Sequence, residues 1–271
     1  MAVSEAPRSA RAALERRRAQ GGRGLIPFLT AGFPDWDGFD AAVEVLASSG
    51  ADVLEIGLPF SDPLADGPTI QASSFRALQS GVTVASVLDR IEARRDAWRL
   101  PLILMTYVNP LLAFGAERFA RRAAEAGVAG VLISDLPPEE LPEVWSALVR
   151  AGLERIVLTA PTTDPKRIPL LARTASGFVY CVTRTGVTGK GSGFAENLER
   201  QVARVRAETP LPVVAGFGIR TARDVGELAR FVDGVVIGAR LIEILSENDA
   251  PRARKELREL TASLRHALDN T

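Results

Sequence analysis

The chain is poor in the side chains that most often perform nucleophilic, acid–base and metal chemistry. Its 271 residues include one cysteine, Cys181, and one histidine, His266. A single cysteine excludes a disulfide framework, and one cysteine with one histidine excludes a Cys/His metal cluster. His266 lies in SLRHALDN, a helical segment far from any loop signal, and reads as a surface or packing residue. Acid–base chemistry must then come from Asp, Glu, Tyr or Lys. Only three lysines are present, Lys166, Lys190 and Lys255, and none lies in an apolar strand. Desolvation in such a strand is what activates a Schiff-base amine, so a lysine-dependent aldolase is not expected.

Long apolar runs are also lacking. Nothing approaches the roughly 18 residues of a spanning helix, and the N-terminus has no apolar core of a signal peptide. Formal net charge is zero, which points to neither a nucleic-acid nor a membrane partner. A cytoplasmic protein is expected. The N-terminal RSARAALERRRAQ is rich in arginine, as transit peptides are. Glu5, Glu15 and the helical spacing favour instead a soluble helix over residues 1–20.

What is present is a regular alternation of short apolar runs with longer amphipathic stretches. Strands are expected at 25–31, 52–58, 102–107, 130–136, 155–160, 177–182, 212–217 and 233–238. These runs are almost continuously apolar, as strands buried on both faces are. Helical stretches such as FDAAVEVLASSG, ERFARRAAEAG and EELPEVWSALVRAG lie between them, several ending in the glycine that stops a helix. Eight strands, each followed by a helix, define an α/β fold: a single (β/α)8 TIM barrel over 1–271 with an extra N-terminal helix. A doubly wound open sheet is the runner-up, and it leaves eight regular units unexplained. No linker or low-complexity tract divides the chain.

Barrel chemistry sits at the C-terminal ends of the strands, which directs attention to LEIGLPFSDPLADGP at residues 54–68. Glu55 interrupts an apolar strand. A carboxylate there costs several kcal/mol unless paired, and burial raises its pKa toward neutrality, as suits a general acid–base. The alternative is a Glu paired with a buried arginine. Arg155 is the one arginine in the expected strands, and it stands at the wrong end. Asp66 and Asp62 lie in the following loop. Local chemistry alone makes each a turn or helix-cap residue. Asp135, at the end of the fourth strand, would face the same mouth as Glu55 and Asp66.

Gly216 and Gly218 directly follow the seventh strand and Gly238 the eighth, each turn leading into a helix. Glycines let backbone N–H groups approach an anion, and a helix N-terminus adds a favourable dipole. Paired glycine turns at these two positions form the usual phosphate site of a barrel. After the sixth strand, the long glycine-rich stretch 184–198 reads as a lid. Tyr180, within that strand, is either a core residue or a hydroxyl aimed at the mouth.

These segments resemble the tryptophan synthase alpha subunit family over most of the chain. LEIGLPFSDPLADGP matches the family's signature segment. FLTAGFPD, MTYVNP, ISDLP, RTGVTG and AGFGI resemble further family motifs in the same order. The resemblance implies retro-aldol cleavage of indole-3-glycerol phosphate to indole and glyceraldehyde 3-phosphate, without cofactor or metal. It implies that Glu55 is the acid–base and that Asp66 partners the indole N–H. It places Phe28, Tyr107, Tyr180 and Thr188 around the substrate, and Gly189, Gly216, Phe217, Gly218, Gly238 and Ala239 around the phosphate. It further implies that indole passes to a beta subunit in an alpha2-beta2 complex, with pyridoxal phosphate only in that partner and Asp62, Pro63, Asn109 and Pro110 facing it. A stand-alone lyase releasing free indole and a non-catalytic activator of a beta subunit are the alternatives. One departure concerns the turn after the eighth strand. The family usually has Gly-Ser where this chain has Gly238-Ala239-Arg240, so a hydroxyl bond to the phosphate is missing. Arg240 either compensates or is a solvated helix residue.

Overall fold

The structure is a computed structural model that describes residues 9–183, 194–216, 218–247 and 249–270. Eight parallel strands close into a barrel in sequential order, with the eighth paired back to the first. They are β1 (Gly24–Thr30), β2 (Leu54–Gly57), β3 (Leu102–Thr106), β4 (Gly130–Ile133), β5 (Glu154–Thr159), β6 (Val179–Val182), β7 (Val213–Gly216) and β8 (Gly234–Ile237). Every expected strand is present, most of them shorter than the apolar run that announced it. The run 130–136, for example, stops pairing at Ile133 because Ser134 and Asp135 already belong to the following turn.

One helix per strand proves too simple. Two helices, α3 (Pro68–Gln79) and α4 (Val84–Arg94), separate β2 from β3, and two more, α5 (Val108–Phe114) and α6 (Ala116–Ala126), separate β3 from β4. The other strands are followed by α2 (Trp36–Ser48), α7 (Pro142–Arg150), α8 (Ile168–Thr174), α9 (Phe194–Glu208) and α10 (Ala222–Ala229). After β8 come α11 (Ala239–Glu247) and α12 (Ala250–Asp269). Gly115 divides α5 from α6 with a φ of 91°, a backbone conformation that a residue with a side chain rarely adopts.

The strands bury both faces. Leu25, Leu29, Leu54, Ile56, Leu102 and Leu104 pack outward against the helices. Ile26, Phe28, Val53, Ile103, Met105 and Leu132 point into the barrel. This two-residue alternation explains why the sequence runs are uniformly apolar.

The N-terminal helix α1 (Ala10–Ala19) plugs the barrel from below. Its Ala10, Ala13 and Leu14 belong to the interior cluster, and Leu14 lies so close to Gly24 that a side chain there would displace it. Glu154, at the start of β5, accepts from the Ser9 hydroxyl and from the Ala10 N–H at 3.2 Å. A carboxylate is favourable at a helix N-terminus, where the macrodipole is positive. With that end stoppered, the C-terminal mouth is where chemistry can reach the barrel interior.

Candidate active site

Glu55 is the second residue of β2 and pairs in register with Phe28 of β1 and Ile103 of β3. It lies between inward-facing Val53 and Gly57, so it shares their inward phase. It is 2% exposed, and its Oε1 is buried without a hydrogen-bond partner. Burial pushes its carboxyl up to about 8, with the negative charge of Asp66 as the smaller cause. Arg155 is at the far end of the barrel, as its place near the start of β5 requires.

Asp66 is held by the loop that follows β2. Its backbone N–H closes a turn onto the Pro63 carbonyl at 3.0 Å, and the Gln71 side chain donates to its carbonyl at 2.8 Å. The helix-cap reading of its side chain fails. Helix α3 starts at Pro68, Gly67 occupies the cap position, and no side chain caps the helix. Although Asp66 is part-exposed as a residue, its Oδ1 is buried and lacks a partner. Burial raises its carboxyl to about 6, a rise that the Tyr107 hydroxyl partly offsets. Burial thus raises both carboxyl groups in this mouth toward neutrality, Glu55 further than Asp66.

Two tyrosines frame this pair. The strand expected to include Tyr107 ends at Thr106, which frees Tyr107 to turn toward the loop. Its hydroxyl accepts from the Ala65 N–H at 3.0 Å, and its ring packs on Phe60 with centroids 5.3 Å apart. It therefore pins the segment that carries Asp66. Tyr180 of β6 is buried in the interior cluster. Burial, then the charges of Glu55 and Asp66, push its hydroxyl well above the ordinary tyrosine range. It consequently stays protonated and faces both acids.

The glycines at the strand ends make room for rings. The Tyr180 hydroxyl occupies the space where a side chain on Gly216 would start. The Phe28 ring lies against Gly57 on one side and Gly238 on the other. Gly57 carried no signal of its own in the sequence, because its necessity comes from the neighbouring strand.

At the β7 and β8 ends, Gly218 has a φ of 81°, and the Gly238 carbonyl starts α11 by accepting from Leu241 and Ile242 at 2.8 and 3.1 Å. The Gly216 carbonyl is taken by the Thr183 N–H and hydroxyl at 2.9 and 2.8 Å. Ala239 is the first residue of α11 and brings no hydroxyl. Arg240 is engaged by acids, with Glu243 at 3.4 Å and Glu247 and Glu256 at 3.9 Å. Of its two alternatives, this geometry favours the helix-surface one.

Thr188, Gly189 and Phe217 lie outside the described residues, as does the expected lid up to residue 193. Residues 194–198 belong to α9. Asp62 and Asn109 are exposed, Pro110 is part-exposed and Pro63 is buried. The Asp135 charge acts with that of Asp66 on the Tyr107 hydroxyl. The Asp135 Oδ1 accepts from the Val108 N–H at 2.7 Å and so anchors the start of α5. His266 is exposed on α12, and Lys166 and Lys255 are exposed as well.

Ser134 escaped notice in the sequence. It follows β4, and its Oγ is buried without a partner. It borders a cavity of about 210 Å³ whose lining also includes Asp135, Trp145, Leu158, Thr163 and Arg167. Neither Glu55 nor Asp66 lines that cavity. Among the described residues, no group of three or more His, Cys, Asp or Glu side chains is arranged to hold a metal ion.

The geometry defines a class: a (β/α)8-barrel enzyme with two coupled acids in its mouth and glycine turns after β7 and β8. Comparison narrows it. The family model for the tryptophan synthase alpha chain matches residues 14–270, and the chain belongs to that family. It is 45% identical to the tryptophan synthase alpha chain of Geobacter sulfurreducens over 248 residues, 92% of this chain and 94% of the relative. Identity to the Burkholderia thailandensis alpha chain is also 45%, over 252 residues and 93% of each chain. Among solved structures, Mycobacterium tuberculosis tryptophan synthase superposes with a TM-score of 0.87 at 36% identity, covering 97% of this chain and 99% of that one. The tryptophan synthase alpha subunit of Legionella pneumophila gives a TM-score of 0.87 at 35% identity, covering 98% and 100%.

Proposed function

We propose that this chain, a member of a family of lyases, cleaves indole-3-glycerol phosphate with Glu55 as the acid–base and Asp66 as the anion. The observation that carries this reading is the pair of buried, coupled carboxyl groups with separated proton affinities.

At neutral pH, Glu55 is largely protonated. It gives its proton to indole C3, which places positive charge on the ring at N1. Asp66 accepts the N1 proton in a hydrogen bond and stabilises that charge in a site of low dielectric, where such an interaction is strong. Glu55, now a carboxylate, takes the proton of the hydroxyl on the adjacent side-chain carbon. The oxygen electrons form the aldehyde, the C3–C3′ bond breaks, and its electrons neutralise the indole ring. Glu55 ends protonated, ready for another turnover. The backbone N–H groups around Gly218, Gly238 and Ala239 bind the phosphate, aided by the dipole of α11.

The indole is passed to a beta subunit of an alpha2-beta2 assembly, which holds the pyridoxal phosphate. The loop after β2, with Asp62 and Pro63, and the first turn of α5 after β3, with Asn109 and Pro110, face that subunit. Leu64 in the loop after β2, 91% exposed, and Leu112 of α5, also exposed, support this arrangement, because large apolar groups left in solvent mark a contact surface. The assembly works in the cytoplasm. Among the described residues, no helix is long and apolar enough to cross a membrane.

Purified protein assayed for indole release, alone and with a beta subunit, tests the proposal. Indole formation that rises when the beta subunit is added is the expected result. Absence of indole under both conditions would overturn the catalytic assignment.

A further inference from the structure

The turns after β7 and β8 each place an arginine two residues beyond a glycine. Arg220 follows Gly218, and Arg240 follows Gly238. The turns lie on different loops, yet both guanidinium groups converge on one atom. Arg220 and Arg240 each reach Glu243 Oε2, the latter at 3.4 Å and the former in closer contact. The Glu243 side chain is partly buried. It lies on α11, one turn beyond Ala239.

The anchorage extends at both ends. The Arg220 backbone N–H donates to Asp224 Oδ2 at 3.1 Å, beside the box formed by Thr221 and Asp224 that starts α10. Arg240 also reaches Glu256 of α12. The carboxylate is held below the usual range because its bonds to Arg220 and Arg240 outweigh its partial burial.

Exposed ion pairs ordinarily contribute little to stability. This one differs in what it joins. A phosphate bound by backbone N–H groups from two loops needs those loops at a set distance, and a misplacement of an ångström is costly to binding. Ala239 supplies no hydroxyl that could make up for a poor fit.

We infer that Glu243 is a positioning residue: by bridging Arg220 and Arg240 it sets the spacing of the β7 and β8 turns, and so the affinity for the phosphate group, resting on the proposed role of those turns. Glu243 does not touch the ligand. The bridge acts on ground-state binding, so it moves KM and leaves kcat nearly alone.

The test titrates the full chain with glycerol 3-phosphate and with inorganic phosphate. If the unaltered chain binds neither anion, both the phosphate reading and the bridge fall. If it binds, Glu243→Gln, which keeps shape and removes charge, is expected to weaken binding about three- to fivefold. KM should rise in parallel while kcat changes less than about twofold. Unchanged affinity overturns the bridge and leaves the phosphate site standing. Arg220→Gln and Glu243→Gln should be non-additive, because either one breaks the same link; additive losses overturn the proposal. Glu227→Gln, which breaks the exposed Arg223–Glu227 pair on α10, should leave anion binding unaltered. Should Glu243→Gln fail to fold, Arg220→Lys retains charge but loses the planar fork. It is expected to weaken binding about twofold, and unaltered binding in that variant also overturns the bridge.

Discussion

The hydroxyl of Tyr180 fills the place where a side chain at Gly216 would begin. Gly216 is therefore required by a ring from the adjacent strand, whatever it contributes to an anion. Gly216→Ala should cost about 1–3 kcal/mol, as overpacking a core does, and should displace Tyr180 from the mouth. Tyr180→Phe removes the nearest clashing atom, so the double variant should regain part of the lost Tm. If Tyr180→Phe restores nothing, the contact is not what demands glycine there.

Glu55 should show opposite effects on stability and activity. Its proton affinity in the fold, about 8, exceeds the ordinary 4.5. The folded state holds that proton more tightly, so the contribution to stability is full below about 4.5 and is lost as pH rises through 8. Glu55→Gln removes the titration. Its Tm should exceed that of the unaltered chain, by more at pH 9 than at pH 5. Indole release should fall by about 10²–10⁴-fold, the usual effect of losing a general acid–base. Near-normal turnover would remove Glu55 from the mechanism, and a Tm difference independent of pH would refute its buried titration.

The pH profile follows from the same pair. Activity needs Glu55 protonated and Asp66 ionised. With affinities raised to about 8 and about 6, kcat/KM should be bell-shaped, falling below pH 6 as Asp66 gains a proton and above pH 8 as Glu55 loses one. The two limbs belong to the coupled pair. In Asp66→Asn the acidic limb should vanish from whatever rate remains, and the alkaline limb should move to lower pH because the charge that raises Glu55 is gone.

Asp66→Asn also separates its two readings. A helix cap would lose about 1 kcal/mol of stability. The Asp66 side chain caps nothing, so Tm should hold or rise, while activity collapses because an amide does not supply the anion that N1 needs. A lower Tm with activity retained would reinstate the cap.

The barrel was legible because burial on both strand faces writes itself into the sequence as uninterrupted apolar runs. Glu55 stood out for the same reason, as the acid that breaks such a run. Asp66 did not by local pattern, since Asp before Gly-Pro and a helix is ordinary turn chemistry; the family resemblance singled it out, and the fold shows its Oδ1 buried. Asp135 illustrates the reverse: its position after β4 matches that of a site residue, yet its carboxylate is used on α5. Gly57, Ser134 and Glu243 depend on which side chains meet across strands and loops, and no local pattern records those meetings. The second helices before β3 and β4 were missed because strand counting sets how many connections exist, not what fills them.

The last expectation concerns the hydroxyl that α11 lacks. Ala239 opens the helix whose N-terminus points at the proposed phosphate position, and Arg240 is drawn away by Glu243, Glu247 and Glu256. No side chain in that first turn is then available to the anion, and backbone N–H groups carry the binding there. Ala239→Ser adds a donor. A hydrogen bond to a charged oxygen contributes at most about 1.5–3 kcal/mol, and imperfect geometry and lost hydration reduce that. The Kd for glycerol 3-phosphate should fall several-fold. Arg240→Ala should act only through the bridge to Glu243, so it should weaken binding no more than Glu243→Gln does, and the two should not add. A larger effect of Arg240→Ala, lost at high salt, would show that the guanidinium contacts the phosphate itself. If Ala239→Ser is silent while the anion still binds, the first turn of α11 does not reach the phosphate, and the site rests on the turn after β7.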